Sequence, residues 1–254
     1  MPNYLKYLIY LIIINSLLTG CDWFSTPHVN DQKVTGWAID DTGDSVYMRY
    51  NDKGRLTSYS TFKNGLKNGV AKKYFDNGKV EFEILYTNGL KNGLTKWYYK
   101  SGGIYRETIY FDGQENGIQK KYYEDGKLMA EVPYNNGLVI PGLKEYTKSG
   151  KLKKKYPELV FQPIDKLAFE GKYILRCYLT DKPKGAKYYK VLRNKNSDWD
   201  SFVELNVYNG AADIEYFLVR GGYVMEKVIV RAEYKTTLSN IYVVEKEYNL
   251  AIDN

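Results

Sequence analysis

The sequence is poor in the residues that build most catalytic and metal centres. Its 254 residues include one histidine, His28, and two cysteines. A single histidine excludes a histidine-pair metal site and argues against a Ser-His-Asp triad. Two cysteines exclude a disulfide scaffold or a cysteine-rich metal site, and the sequence shows no nucleotide-binding, zinc-protease or hydrolase motif. We therefore expect a protein that is not an enzyme and that holds no metal ion or cofactor.

Methionine is also scarce, with four residues, whereas tyrosine and glycine are abundant, with 27 and 22. Tyrosine favours β-strands and glycine favours tight turns. The hydrophobic fraction of 44% is that of an ordinary globular chain and is too high for a disordered one. The composition predicts an all-β fold of one or two domains.

The first twenty residues have the pattern of an export signal. Lys6 precedes an apolar run at residues 8–14, and small residues then lead to Cys21. The run is short for a bilayer crossing, which takes about 20 residues. A charged start, a short apolar core and a small-residue exit are the parts of a secretory signal. The alternative is a membrane-anchoring helix with an incidental cysteine.

Residues 18–21, Leu-Thr-Gly-Cys, resemble the bacterial lipobox. The resemblance implies that Cys21 is acylated and becomes the first residue of the mature protein, with several acyl chains on that cysteine. Stable anchoring needs more than one chain. We therefore expect a signal peptide at residues 1–20, a tether at residues 21–33 and a protein held to a membrane of the bacterial cell envelope.

A 24-residue repeat fills the middle of the chain. One tyrosine series and three glycine series keep this step. They are Tyr50, Tyr74, Tyr98, Tyr122 and Tyr146; Gly54, Gly78, Gly102, Gly126 and Gly150; Gly65, Gly89, Gly113 and Gly137; and Gly69, Gly93 and Gly117. The last series slips by one residue at its end, because Pro141 stands where the next glycine is due and Gly142 follows it.

Each repeat unit predicts two strands and two turns. The Asn-Gly pair at residues 77–78 supplies the positive φ of a tight turn. Residues 79–86 alternate between polar and apolar side chains, which is typical of a strand, and residues 94–99 provide the return strand. Such units form an antiparallel meander that grows by one hairpin at a time. A degenerate first unit from about residue 34 is expected to cap the array.

The unit resembles the MORN repeat variant, and the array over residues 34–156 is similar to the YwqK-type family, whose members are named antitoxins of toxin–antitoxin systems. This resemblance implies that the protein neutralises a toxin by binding it. The shared positions are turn and packing residues, so they specify architecture better than activity. Unlike the usual member, this sequence carries an export signal and continues through residues 157–254 after the repeats.

The basic excess of the chain lies in the repeats. Residues 48–156 hold 21 basic and 11 acidic groups, a net charge of +10, whereas the whole chain carries +7. Repeated lysines, with tyrosines beside them, are the candidate partner-binding residues. These are Lys72, Lys96, Lys120, Tyr74, Tyr98 and Tyr122, and at the next repeat position Lys73 and Lys121. A stripe of this kind attracts an acidic protein or anionic lipid headgroups, and no nucleic acid is expected outside the cytoplasm. The alternative is a solvated face whose lysines prevent aggregation.

Residues 157–254 lose the 24-residue period and predict a second domain. Strand-like runs occur at residues 171–180, 186–193, 201–208, 212–220, 222–235 and 240–250. About seven short strands fit a β-sandwich, similar by strand count to immunoglobulin-like domains. We expect a bulge near residues 225–227, a hairpin turn at residues 221–222, and a buried Cys177 that acts as a small hydrophobic side chain.

The sequence thus predicts an all-β protein, with a meander of MORN-like hairpins over residues 34–156 and a β-sandwich over residues 157–254. The expected function is that of a lipid-anchored, non-catalytic protein that captures an unidentified protein partner on the repeat sheet. Its most concrete form is an antitoxin or immunity protein whose partner is a toxin. The alternatives are a structural or assembly module of the envelope and a protein that binds anionic lipid.

Overall fold

The computed structural model describes residues 35–40, 43–194 and 200–254, and the compact unit to which they belong is Val34–Asn254. The predicted signal peptide, the predicted tether and the acylation candidate Cys21 lie outside the described residues. Within the described part, the helical structure is a single turn, α1 (Leu167–Glu170). No helix there is long and apolar enough to cross a bilayer.

The first part of this unit is one antiparallel sheet of thirteen strands. The strands are β1 (Gly36–Ile39), β2 (Ser45–Tyr50), β3 (Leu56–Lys63), β4 (Leu66–Tyr74), β5 (Val80–Thr87), β6 (Leu90–Lys91), β7 (Gly93–Tyr98), β8 (Ile104–Phe111), β9 (Gln114–Glu115), β10 (Gly117–Tyr122), β11 (Leu128–Asn135), β12 (Leu138–Val139) and β13 (Lys144–Glu145). The order is β1-β2-β3-β4-β5-β7-β8-β10-β11-β12, while the short β6, β9 and β13 pair with β5, β8 and β11. The predicted all-β meander is confirmed.

The repeated glycines and tyrosines mark fixed points of each hairpin. Asn88 and Gly89 both have positive φ, at 49° and 85°, as a two-residue hairpin turn between twisted strands requires. The register shifts immediately before Tyr50, Tyr74 and Tyr98, and the same shift recurs before the next tyrosine of the series. A β-bulge of this kind bends a strand and increases its twist. The 24-residue tyrosine series therefore records one bulge in each unit.

A second tyrosine position joins consecutive units. The hydroxyl of Tyr99 donates a hydrogen bond to the backbone carbonyl of Tyr122 at 2.7 Å, and Tyr123 repeats this contact with the carbonyl of Tyr146 at 2.7 Å. Each bond spans almost one repeat length of sequence, so it fixes the spacing between neighbouring hairpins.

The second part is a β-sandwich with one hydrophobic core. Its strands are β14 (Leu159–Lys166), β15 (Lys172–Leu179), β16 (Lys187–Leu192), β17 (Ser201–Leu205), β18 (Val207–Tyr208), β19 (Ala211–Phe217), β20 (Tyr223–Lys235) and β21 (Ile241–Asp253). They form two four-stranded sheets, β14-β15-β19-β18 and β17-β16-β20-β21. Both sheets contribute to the core, for example through Leu175, Tyr188 and Val230. If the eight strands are lettered A, B, C, C′, D, E, F and G, the sheets are ABED and C′CFG, the immunoglobulin-like arrangement.

A tyrosine and a free cysteine occupy the centre of this sandwich. Tyr188 lies on the strand that carries the buried tryptophan in antibody domains. Its hydroxyl donates to the carbonyl of Gly210 at 3.0 Å and accepts the N–H of Leu179 at 2.9 Å. Cys177 is fully buried, and burial, together with the negative charge of Asp213, raises the pKa of its thiol to about 12. The buried Cys177 expected from the sequence is confirmed.

The predicted bulge near residues 225–227 is wrong. Strands β20 and β21 pair without a register shift from Tyr223 opposite Asp253 to the far end of the hairpin. The apolar alternation of this strand is interrupted because Glu226 lies between Val224 and Val228 on the core-facing side of the strand. Its carboxylate accepts hydrogen bonds from the Lys190 ammonium at 3.0 Å and from the Tyr216 hydroxyl, which allows a charge to sit at that position.

Two other local predictions also differ from the structure. The turn at residues 221–222 does not close a hairpin, because it joins β19 and β20 of different sheets. Residues 201–208, expected as one strand, divide into β17 and β18, which also belong to different sheets. Strand β14, which contains Pro163, was not among the predicted strands. It lies at the edge of its sheet, where a residue without an N–H donor is tolerated.

Candidate binding surface

The repeat sheet has two faces, because successive side chains of a strand point to opposite sides. Lys72, Lys96 and Lys120 share one face, together with the predicted tyrosines Tyr74, Tyr98 and Tyr122. Lys73 and Lys121 lie on the other face. The β-sandwich packs against the face that carries Lys121, which we call the inner face. The opposite face is the outer face.

The predicted lysine stripe on the outer face alternates in charge. Cross-strand partners follow one another across the sheet in the row Tyr59, Lys72, Glu83, Lys96, Glu107, Lys120, Glu131, Lys144. The Lys72 ammonium lies 3.4 Å from the Glu83 carboxylate, and the Tyr122 hydroxyl donates to Glu107 at 2.7 Å. Burial, followed by this hydrogen bond, raises the pKa of Tyr122 to about 12. Along this row three glutamates therefore offset most of the charge of the four lysines, and Lys72 and Lys144 are the two lysines of the row that form ion pairs among the described residues.

A second row on the outer face is aliphatic. Leu85 lies opposite Val70, and Leu94 lies opposite Ile109. Leu85, Leu94 and Ile109 keep 39%, 43% and 47% of their surface exposed. The outer face therefore combines compensated charges with an exposed apolar row.

The inner face has a buried central row. Its members are Ala71, Ile84, Thr95, Thr108, Gln119 and Val132, all of them less than a tenth exposed. Larger side chains flank this row on both sides. On one side, Tyr86, Tyr110 and Tyr134 each lie opposite a repeated glycine of the neighbouring strand, where no side chain competes for the space.

On the other side of the central row, five positions form what we call the aromatic–cation row. Cross-strand pairing places them in the order Lys73, Phe82, Trp97, Arg106, Lys121. The rings of Phe82 and Trp97 lie 5.0 Å apart, and the Arg106 guanidinium sits 4.9 Å from the Trp97 ring centroid. Lys73 approaches the Phe82 ring at 5.9 Å. Tryptophan and arginine are the residue types that carry most binding energy at protein interfaces.

Arg106 is the least satisfied member of this row. It forms no hydrogen bond and no ion pair with any residue that the structure describes, and its Nε atom is buried without a partner. The buried Oγ1 of Thr95, on the same face, also lacks a partner in the described part of the chain. Lys121, directly opposite Arg106, donates to Asn240 Oδ1 at 2.7 Å. Burial, and then the charge of Arg106, lower the pKa of Lys121.

The sandwich closes the C-terminal end of the inner face through a buried carboxylate. Glu145 stands at the repeat position of Lys121 and is 1% exposed. Its Oε1 accepts hydrogen bonds from Thr236 at 2.5 Å and Asn240 at 2.8 Å, both in the turn between β20 and β21. Its Oε2 accepts from Lys153 at 3.1 Å. Burial opposes the charge of Glu145, but these bonds and the charge of Lys153 outweigh it and hold the pKa below its usual range.

Apolar contacts complete this junction. Ala130 and Val132 on the inner face are buried beside Tyr156 and Tyr242, whose rings stack with centroids 4.7 Å apart. Arg231 of the sandwich donates to the backbone carbonyl at position 139 at 2.5 Å. The part of the inner face that carries Arg106 therefore adjoins an interface that the chain already makes with itself.

Three segments of the sheet match a known repeat family. Residues 67–88, 91–112 and 115–136 each match the profile of the MORN repeat variant. Each segment covers one unit of the meander, so the resemblance to this repeat is confirmed for the three central units. Repeats of this kind suggest a binding or repeat-module role. No curated protein matches the sequence significantly.

Periodicity found Lys73 and Lys121 of the aromatic–cation row but missed Phe82, Trp97 and Arg106, because the residue type at these positions changes from unit to unit. Positions 73, 97, 121 and 145 carry Lys, Trp, Lys and Glu, while positions 58, 82, 106 and 130 carry Ser, Phe, Arg and Ala. These two repeat positions can be found by asking where the residue type varies between units while the tyrosine and glycine positions stay constant. The outer-face glutamates could have been found by periodicity, because Glu83, Glu107 and Glu131 recur with the same 24-residue step as the lysines.

Proposed function

We propose that this protein is a non-catalytic binding protein that captures a partner protein on the inner face of its repeat sheet. The observation that carries the proposal is the aromatic–cation row, in which Trp97 and Arg106 lie side by side and the guanidinium of Arg106 has no hydrogen-bond or ion-pair partner within the described residues. Such residues dominate binding energy where they are desolvated by a partner. A partner there would extend the interface that the sandwich already forms.

The outer face is the weaker candidate. Its lysines lie opposite glutamates of neighbouring strands. Among the described residues Lys72 is the one of the three predicted lysines that forms an ion pair, and exposed pairs of this kind contribute little energy. The arrangement is the one expected for a solvated face. The lysine and tyrosine candidates on this face, Lys72, Lys96, Lys120 and their neighbouring tyrosines, stay a prediction that the experiment below also tests.

The experiment compares two adjacent aromatic residues that point to opposite faces. Full-length protein carrying Trp97→Ala should lose at least about tenfold in partner capture from native envelopes, as removal of an interface anchor does. Tyr98→Ala on the outer face should keep saturable capture. Lys73→Glu, at an exposed end of the row, provides a second inner-face variant. It breaks an exposed ion pair with Glu81 at 2.9 Å, which should cost about 1 kcal/mol of stability. Thermal unfolding of each variant checks that the sheet is intact.

Other outcomes contradict the proposal. Equal capture by Trp97→Ala, Lys73→Glu and the parent protein would exclude the inner face. Loss of capture on changing Lys72, Lys96 and Lys120 together to Glu, with the inner-face variants still active, would move the site to the outer face. If no saturable partner is recovered at all, the structural-module alternative takes its place.

We also propose that the protein is exported and acylated on Cys21, on the support of the lipobox-like residues 18–21. Cys21→Ser should abolish incorporation of labelled palmitate and change the processing of the leader. Incorporation that persists in this variant would contradict the proposal.

The narrower proposal, an antitoxin or immunity role, is supported by the family resemblance of the array. It requires that the captured partner be a toxin, and the most direct candidate is the product of a neighbouring gene. Co-expression with that product should rescue growth, and Trp97→Ala should abolish the rescue. If the captured partner is not toxic, the proposed binding function stands and the proposed antitoxin role is contradicted.

A further inference from the structure

Arg106 and Lys121 carry two positive charges on directly opposite positions of β8 and β10. Like charges opposite each other destabilise a sheet, and a buried donor without an acceptor adds to that cost. The Nε of Arg106 is such a donor among the described residues. Three arginines of the sandwich are arranged differently: Arg176 binds Asp213 with two bonds of 2.7 and 2.8 Å, Arg231 binds Glu233 at 2.6 Å, and Arg193 binds Asp200 at 2.5 Å.

Neighbouring groups hold both cations in place without neutralising them. The Trp97 ring lies 4.9 Å from the Arg106 guanidinium and fixes its position from one side. Asn240 accepts from Lys121 through its Oδ1 while its Nδ2 donates to Glu145 at 2.8 Å. Asn240 therefore positions the Lys121 ammonium and separates it from the buried carboxylate.

The acidic groups around the pair are engaged elsewhere. Glu115 accepts hydrogen bonds from Tyr110 at 3.3 Å and from Gln119 at 3.4 Å. Glu145 is bound by Lys153 and by the β20–β21 turn. Lys235 adds a further positive charge near Lys121. The site therefore keeps a positive surplus that an incoming anion would balance.

We infer that Arg106 and Lys121 form a carboxylate-binding subsite that takes an aspartate or glutamate side chain of the partner, an inference that rests on the proposed function. The two Nη atoms of the guanidinium offer parallel donors to the two oxygens of a planar carboxylate, while Nε stays buried. Lys121 supplies a second cation from the opposite strand, and Trp97 provides an apolar wall for the methylene groups of the same side chain. An acidic side chain thus matches both the charge and the aromatic neighbour.

The test titrates the full-length protein with a hexaglutamate peptide and follows tryptophan fluorescence, with hexaglutamine as the uncharged control. Hexaglutamate should bind saturably and hexaglutamine should not. Arg106→Gln and Lys121→Gln should each raise the dissociation constant by about tenfold, since truncating one member of a charged contact costs this much or more. Lys120→Gln removes one positive charge from the adjacent residue, which lies on the outer face. It should change the dissociation constant for hexaglutamate by less than about twofold. Arg106→Lys keeps the charge but loses the fork, so it should also weaken binding.

Three results would overturn the subsite. Equal weakening by Lys120→Gln and Lys121→Gln would show attraction to overall charge. Unchanged binding in Arg106→Gln would remove the arginine from the site. Inorganic phosphate that binds as tightly as hexaglutamate, and competes with it, would make this a small-anion site and not a site for acidic side chains.

Partner capture separates failure of the subsite from failure of the proposed function. If Trp97→Ala loses the partner while Arg106→Gln and Lys121→Gln keep it, the subsite is wrong and the binding function stands. If all three variants keep the partner, the proposed function fails, and the assignment of the subsite to a partner fails with it.

Discussion

Glu145 is expected to couple the repeat sheet to the β-sandwich, and Glu145→Gln measures that coupling. The side chain is 1% exposed, and each carboxylate oxygen accepts at least one hydrogen bond. Glutamine keeps the volume but replaces one accepting oxygen with an NH₂ group that faces donors. Net contributions of bonds to charged groups are about 1.5–3 kcal/mol, so we expect unfolding free energy to fall by about 2 kcal/mol at pH 7. Lys153 lies partly in solvent and regains water, which limits the loss.

The loss should depend on pH in a defined direction. Because the folded pKa of Glu145 lies below its usual value, the carboxylate stabilises the fold above the pKa of the unfolded chain, about 4.3. This contribution disappears as the pH falls through the lower, folded pKa. The difference between the parent protein and Glu145→Gln should therefore be full at pH 6 and should shrink below pH 4.

Urea unfolding at several pH values provides the assay, with Glu131→Gln as the matched control. Glu131 lies on the neighbouring strand, and its carboxylate is 3.5 Å from Lys144 in a partly exposed pair, so its loss should cost less than about 1 kcal/mol. The reasoning is refuted if the two variants lose equal stability, or if the effect of Glu145→Gln stays constant from pH 6 to pH 3.

Further predictions concern the hairpins and the sandwich core. A Cβ at Gly93, where φ is +101°, would meet Leu85 at 2.8 Å, whereas Gly78 at φ +82° has open space. Gly78→Ala should cost about 1 kcal/mol and Gly93→Ala clearly more in urea unfolding, and equal losses would contradict this. Tyr99→Phe should cost about 1 kcal/mol in the same assay by removing the bond between units, and an unchanged midpoint would count against that role. Cys177 should resist a thiol reagent at pH 8 until urea is added, and labelling of the folded protein would contradict its burial.

The regular features of the fold were readable from the sequence because they recur. The 24-residue series located the strands and the turns of each unit, whereas the bulge before each repeated tyrosine was found in the structure. The charge compensation on the outer face was also present in the sequence, since the glutamates keep the same step as the lysines. The sequence analysis predicted a basic stripe because it considered the lysines alone. The glutamates opposite them lie on adjacent strands, in most cases in a neighbouring unit.

The features that sequence reasoning missed depend on contacts between distant segments. Glu226 looked like an interruption of a strand because its partners, Lys190 and Tyr216, come from other strands. Strand β14 contains Pro163, which is tolerated because the strand lies at the edge of its sheet. The burial of Glu145 requires the turn near residue 240, which lies 95 positions further along the chain. A local sequence pattern cannot predict a contact between segments so far apart in the chain.

The junction with the sandwich involves the last two units of the array, which carry Lys121, Ala130 and Glu145, whereas the units before them contact mainly one another. Inserting or deleting one 24-residue unit upstream would add or remove two strands, about 10 Å at the usual spacing between strands. The buried contacts at Glu145 would be unaffected by such a change. Gene duplication upstream would therefore change the distance between the N-terminal edge and the sandwich in steps of two strands. Each step would leave the contacts between the array and the sandwich unchanged.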